Sequence, residues 1–367
     1  MSFGARARIR LGALKHNLDI IRSTAPDAKF MAVVKANAYG HGMVTVARNL
    51  DDVDAFAVAR LPEAMLLRES GIDKPIVLLA GVLTDVELQS ALQHRFEIVV
   101  HCREQIRLLE KNGGGETTVW LKIDTGMNRL GFPARDASDL AVRLRACKSV
   151  GELRLMTHLA SADERGNPHT VEQLKQFKSA AAGFDGDVSI GNTAAALGWP
   201  QVVDAKSGLG FLGDQWLRPG IALFGVSPFD DATGRDLGLK PVMQFEARLI
   251  AVKALSKGAR VGYKGQYVSE RDSTLGIIAA GYGDGYTRHL KTGTPVLING
   301  RRVPLIGNVS MDMIAVDLGT DASDSVGDIA ILWGDDLPVE EVARWANAIP
   351  YELVCGVMNR EASEVID

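Results

Sequence analysis

The sequence has few cysteines: Cys102, Cys147 and Cys355 stand far apart in a chain of 367 residues. An odd number without metal-ligand spacing excludes a disulfide framework and a thiolate metal centre, and makes a reducing cytosol the expected home. No apolar run is long enough for a membrane span. No apolar segment follows the arginines of residues 1–10, so no secretory leader is expected either. The net charge of −4 offers no basic footprint for nucleic acid and no polybasic segment for a membrane surface. Low-complexity stretches are also missing. With 46% apolar and 23% charged residues, the composition is that of an ordinary globular protein with a large core. The length suggests two domains, or one large barrel with an appendage.

Arg6-Ala7-Arg8-Ile9-Arg10 alternates like an edge strand, and Leu14, Leu18 and Ile21 follow at helical spacing. From Phe30 one unit recurs: a short apolar run, a polar turn, a helical stretch. The apolar runs are Phe30–Val34, Ala55–Ala59, Ile76–Ala80, Phe96–Val100, Thr118–Ile123, Leu153–Thr157, Val188–Ile190 and Ile221–Phe224. Helix punctuation separates them: Pro62 near a helix start with Gly71 past its end, and capping-box spacing at Thr84/Glu87 and Thr170/Gln173. Eight such units predict an N-terminal (β/α)8 barrel of α/β class over residues 11–226. Beyond a linker at 227–235 the runs become β-rich, with the hairpin signal Asn299-Gly300 and one helix near Val339–Ala348. Residues 227–367 therefore read as a second, mainly β domain, which the strand within residues 1–10 is placed to join.

The barrel makes a demand on chemistry: reactive residues should follow the strands at their carboxyl ends. Lys35 ends the first apolar run, within Val33-Val34-Lys35-Ala36-Asn37-Ala38-Tyr39-Gly40-His41-Gly42. A desolvated lysine loses basicity, and its neutral amine attacks aldehydes. The plainer alternative is a lysine that snorkels to solvent. Lys122 and the stretch Asp124–Arg129 close the fifth run, His158 ends the sixth, Asn192 and Thr193 follow the seventh, and Arg218-Pro219-Gly220 leads into the eighth. Loops around the last two strands are the usual phosphate seat of such barrels. There the Thr193 hydroxyl and the amides of Gly220 and Ile221 are placed to donate to an anion, although Gly220 serves equally as a strand bulge.

Four stretches taken in order, Val33–Gly42, Lys122–Gly131, Arg218–Ile221 and Asn308–Asp312, resemble the alanine racemases, as do Val261-Gly262-Tyr263-Lys264-Gly265 and Gly281-Tyr282-Gly283-Asp284-Gly285. The likeness covers residues 6 to 356. It implies a pyridoxal 5′-phosphate enzyme that interconverts L- and D-alanine, with Lys35 serving the D-alanine α-proton and Tyr263 that of L-alanine on the opposite face. A free phenol titrates near 10, so positive charge from His158 and Arg218 is expected to favour the phenolate. The resemblance further implies Tyr39, Asn192, Thr193, Arg218, Gly220 and Ile221 as cofactor contacts, and Arg129, Met311, Asp312 and Tyr282 around the substrate. It implies carbamylation of Lys122, whose alternative is an ion pair with Asp124. It also implies a homodimer in which Tyr263, Tyr282 and Met311 act on the partner's barrel. The chain departs from the family pattern with Thr193 in place of a serine and Asn359 in place of a phosphate-contacting tyrosine.

On the residues alone, Tyr263 reads as an ordinary strand tyrosine. Three other activities fit the same architecture: a broad-specificity amino-acid racemase, a pyridoxal-phosphate decarboxylase, and a non-catalytic carrier of the cofactor. The last would need only the barrel, which leaves the second domain unexplained.

Overall fold

The computed structural model describes residues 4–203, 209–357 and 364–366. Strand β1 (Arg6–Arg10) precedes eight parallel strands: β2 (Lys29–Val33), β3 (Ala55–Val58), β4 (Ile76–Leu78), β5 (Phe96–Val100), β6 (Thr117–Asp124), β7 (Val150–Met156), β8 (Val188–Asn192) and β9 (Gln215–Arg218). Neighbours pair in register around a closed ring, with β9 against β2 and β5 against β6 completing it. These strands are buried on both faces; Ile76, Val77 and Leu78 are fully so, which explains their unbroken apolar runs.

The last barrel strand is not the apolar run expected. Gln215–Arg218 is the strand, while Ile221–Phe224 is a 3-10 turn. All four turn residues are buried, and Asn17 Nδ2 donates to the Leu223 carbonyl at 3.1 Å. An apolar run signals burial but cannot tell a strand from a turn packed under a helix. The cap at Thr84 is as expected: its Oγ1 accepts from Glu87 N at 3.2 Å and Glu87 Oε2 accepts from Thr84 N at 3.3 Å. The box at Thr170/Gln173 does not form. Asn167 caps that helix by accepting from His169 N at 2.8 Å, which frees Gln173 to bind the His158 carbonyl and Ala160 N.

The second domain is built on β10 (Met243–Leu255), β11 (Ser273–Ile278), β12 (Pro295–Ile298), β13 (Arg301–Ile306), β14 (Ile314–Gly319), β15 (Ile329–Trp333) and β16 (Glu364–Ile366). The sheet order is β11-β14-β13-β12-β15-β10-β1-β16, and a β10–β11 pairing curls it on itself. β1 pairs antiparallel with β10, Arg6 opposite Glu246, so the first strand is sewn into the domain furthest along the chain. Asn299 and Gly300 both have positive φ (48° and 74°), the turn their sequence demands between β12 and β13.

The barrel's lower end is closed by charge. Arg154 on β7 lies over the Trp120 and Trp216 rings at 5.1 and 4.9 Å and pairs with Glu97 at 3.5 Å and Glu152 at 2.7 Å. Trp120 Nε1 donates to Glu97 and Trp216 Nε1 to Asp187, at 2.7 and 2.8 Å. Removing Arg154 strands the buried Glu97 carboxylate, so Arg154→Ala should cost roughly 3–5 kcal/mol in urea unfolding. Turnover per cofactor-loaded site should stay unchanged, because this layer faces away from the mouth.

Candidate active site

Lys35 follows β2 and opens a turn of unusual hand. Ala36, Asn37, Ala38 and Tyr39 have φ of 53°, 54°, 53° and 52°. A left-handed turn costs L-residues about 1–2 kcal/mol each, so it persists only where its surroundings enforce it. Three side chains do so. Glu63 Oε1 accepts from Ala36 N at 2.8 Å, Asn37 Oδ1 accepts from Met43 N at 2.9 Å, and His41 Nδ1 meets the carbonyls of Ala38 at 3.0 Å and Tyr39 at 2.8 Å. The turn aims Lys35 and Tyr39 at one cavity.

That cavity, about 340 Å³, opens at the carboxyl ends of the barrel strands and is lined by Lys35, Tyr39, Lys122, Arg129, His158, Asn192, Thr193, Arg218 and Gly220. Ile221 is buried behind Gly220. Arg218 is held by the Thr157 carbonyl at 2.7 Å and Ser189 Oγ at 2.5 Å, and its Nη2 lies 3.4 Å from His158 Nδ1. Burial lowers its pKa to about 10.

The cations crowd one another. Burial, then Arg129, lowers the basicity of Lys35. Burial, then Arg218, Arg129 and Lys35, brings Lys122 down to about 8. Asp124 does not offset this with an ion pair among the described residues. Its Oδ1 instead accepts from Gly126 N and Asn128 N, both at 3.0 Å, and shapes the loop carrying Arg129. His158 is driven well below its usual range by burial and then by Arg218. Both causes disfavour the imidazolium, so among these groups positive charge toward the phenol falls to Arg218 rather than to His158.

At the other end, Thr193 opens a helix and its Oγ1 accepts from Gly220 N at 2.8 Å. The expected Gly220 donor is thus taken by the hydroxyl beside it. A Cβ at Gly220 would lie 2.4 Å from Tyr39 Oη, so the phenol rests directly against this backbone. Gly220→Ala should displace the phenol. With overpacking costing about 1–3 kcal/mol, cofactor affinity read by absorbance titration should fall about tenfold.

The residues fit a phosphorylated aldehyde. An amine of reduced basicity stands at one end and hydroxyls gather at a helix start at the other. The cation cluster between them calls for an anionic occupant.

Tyr263, Tyr282, Met311 and Asp312 do not line this cavity. They lie on the second domain, where Tyr263 is 67%, Met311 52% and Tyr282 40% exposed. The structure groups Tyr282 and Met311: Tyr282 N donates to the Ser310 carbonyl at 3.0 Å and Gly283 N to that of Met311 at 2.8 Å. Asn308 Nδ2 donates to Gln266 Oε1 at 2.8 Å, tying the hairpin of Tyr263 to the same face. Arg288 sits 6.0 Å above the Tyr282 ring and donates to the Val309 carbonyl. Tyr286, by contrast, is fully buried and packs.

Sequence reasoning missed Tyr351, which lines the cavity with its ring 6.1 Å from that of Tyr39. It also missed Glu63, which braces the left-handed turn. An aromatic or acidic residue in an amphipathic helix carries no signal of such a role. Asn359 lies outside the described residues.

The family profile described as "Alanine racemase, N-terminal domain" matches residues 9–228, and that described as "Alanine racemase, C-terminal domain" matches 242–365. A relative from Aliivibrio salmonicida named alanine racemase is 47% identical, covering 99% of each chain. One from Vibrio cholerae with the same name is 48% identical over 97% of this chain and 96% of its own. The crystal structure of biosynthetic alanine racemase from Pseudomonas aeruginosa covers all of both chains at a TM-score of 0.93 and 40% identity. With both profiles spanning nearly its whole length, the chain belongs to the alanine racemase family.

Proposed function

We propose that this protein interconverts L- and D-alanine in the cytosol, with pyridoxal 5′-phosphate held in the barrel mouth and proton carriers on both faces of the substrate. The observation that carries the reading is the Lys35 amine, lowered in basicity and aimed by a strained turn into a cation-lined cavity. When bound, the cofactor supplies the electron sink that makes the α-proton removable. Lys35 would hold it by its aldehyde, and Tyr39, Thr193 and the Ile221 amide would hold its phosphate, with Gly220 N bonded to the Thr193 hydroxyl and Asn192 capping that helix through Ala195 N. Arg218, fixed by three carbonyl and hydroxyl oxygens, would present a donor to the ring nitrogen and so disfavour its protonation.

Racemisation needs a base on one face and an acid on the other. The Lys35 amine, its basicity lowered by burial and then by Arg129, takes or returns the proton on the D face. Tyr263 of the partner subunit does so on the L face. The exposed face bearing Tyr263, Tyr282 and Met311 then covers the mouth of a second barrel, so the working unit is a homodimer. Arg129 grips the substrate carboxylate through its planar fork, with Met311 N and Asp312 of the partner subunit beside it. Incubating the purified protein with L-alanine should yield D-alanine by chiral chromatography; carbon dioxide release instead would mark a decarboxylase. Serine, lysine and arginine in the same assay measure substrate breadth.

Lys122 is suited to carbamylation. An amine with a pKa of about 8 is partly neutral at physiological pH; it adds carbon dioxide with loss of a proton to solvent, and the carbamate anion relieves the repulsion among Lys35, Arg129 and Arg218. Protein equilibrated with 13C-bicarbonate should show a carbamate carbon resonance that is lost in Lys122→Ala.

A further inference from the structure

His41, between the two glycines of the lysine loop, is fully buried and stacked on Phe224 at 4.4 Å. Its Nδ1 lies at the carbonyls of Ala38 and Tyr39, which can only accept, so Nδ1 carries the proton. Nε2 then presents a bare lone pair. It has no hydrogen-bond partner among the described residues, and neither does Trp333 Nε1, a buried donor on β15 of the second domain. Both residues line one small cavity of about 10 Å³, together with Phe224, Val339, Glu340 and Val354. That is the room one water molecule needs.

We infer that a buried water bridges Trp333 Nε1 to His41 Nε2 across the domain junction, and that His41, fixed in this way, holds the left-handed turn that presents Lys35 and Tyr39. The hydrogen-bond inventory closes around this water. Trp333 N–H donates to it, and one of its hydrogens goes to His41 Nε2. The Glu340 carboxylate on the cavity wall, which already accepts from Ser227 N and Gly234 N, offers an acceptor for the other. Orphaned polar atoms at a polar, water-sized hole are the setting in which proteins retain internal water. A rare backbone conformation at the cofactor lysine is thereby tied to the second domain, which supplies Trp333. The water site stands independently of the racemase reading; the effect on cofactor retention rests on it.

The test uses the full-length protein labelled with 15N-histidine. His41, assigned by loss of its signal in His41→Phe, should show an unprotonated, hydrogen-bonded Nε2 and a protonated Nδ1. Trp333→Phe, which keeps an aromatic ring beside Phe245, should move the Nε2 signal toward that of a free lone pair. In cofactor titrations His41→Phe should weaken pyridoxal phosphate binding at least tenfold. His41→Asn, whose amide can still reach the Ala38 and Tyr39 carbonyls, should restore most of it. A protonated Nε2, or a signal indifferent to Trp333→Phe, overturns the water bridge. Equal cofactor affinity in wild type and His41→Phe overturns the positioning role. Absence of racemase activity in a protein with the expected 15N signals overturns only the function proposed above.

Discussion

Lys35→Ala should lose alanine racemisation by about 10^4-fold or more, while folding as well as wild type. The expectation combines two losses at one atom. In the proposed function the amine both anchors the cofactor and serves as the base on the D face; general base catalysis alone contributes about 10^2–10^4-fold. Stability should hold or rise, because the buried amine is desolvated and crowded by Arg129 and Arg218. Activity is read by chiral chromatography, stability by thermal unfolding without cofactor, and the anchor by the visible absorbance of the protein-linked chromophore. Loss of all three together would indicate a structural lysine. Retained activity would remove Lys35 from the chemistry.

Tyr263→Phe should cost about 10^2–10^4-fold in racemisation in both directions while leaving cofactor loading intact. Its ring is exposed within one chain and absent from the wall of the Lys35 cavity, so removing the hydroxyl disturbs no packing there. Mixing the two inactive variants discriminates further. Co-refolded Lys35→Ala and Tyr263→Phe chains form mixed dimers in which one site has both its lysine and a tyrosine from the other subunit. Activity should return to a fraction of wild type. Mixed dimers without activity would mean that each site is built within one chain.

That Lys35 and Tyr39 of the lysine loop face one cavity was legible, because a residue just after a barrel strand points to the mouth. The loop's geometry was not. Ala36 and Ala38 favour a right-handed helix, and the turn is reversed by contacts with Glu63 and His41 that no local pattern announces. The barrel could be read from its alternating units, yet its last strand was misplaced. Gln215–Arg218 carries polar residues facing a crowded interior, whereas Ile221–Phe224 is more apolar and only turns. His158 lines the cavity as expected, but its basicity is set first by its own burial and then by Arg218 beside it, which spacing cannot reveal. The Arg154 layer was invisible for a related reason: its partners on β5, β6 and β9 meet only when the barrel closes.

The central claim is that two proton carriers, Lys35 and the partner subunit's Tyr263, work on opposite faces. The most direct test follows α-hydrogen exchange in heavy water with Tyr263→Phe protein, using D-alanine and L-alanine in separate reactions. D-alanine should take up deuterium, because Lys35 still reaches its face, while L-alanine should keep its hydrogen and neither should racemise. Equal exchange of both isomers would contradict the assignment of one carrier to each face.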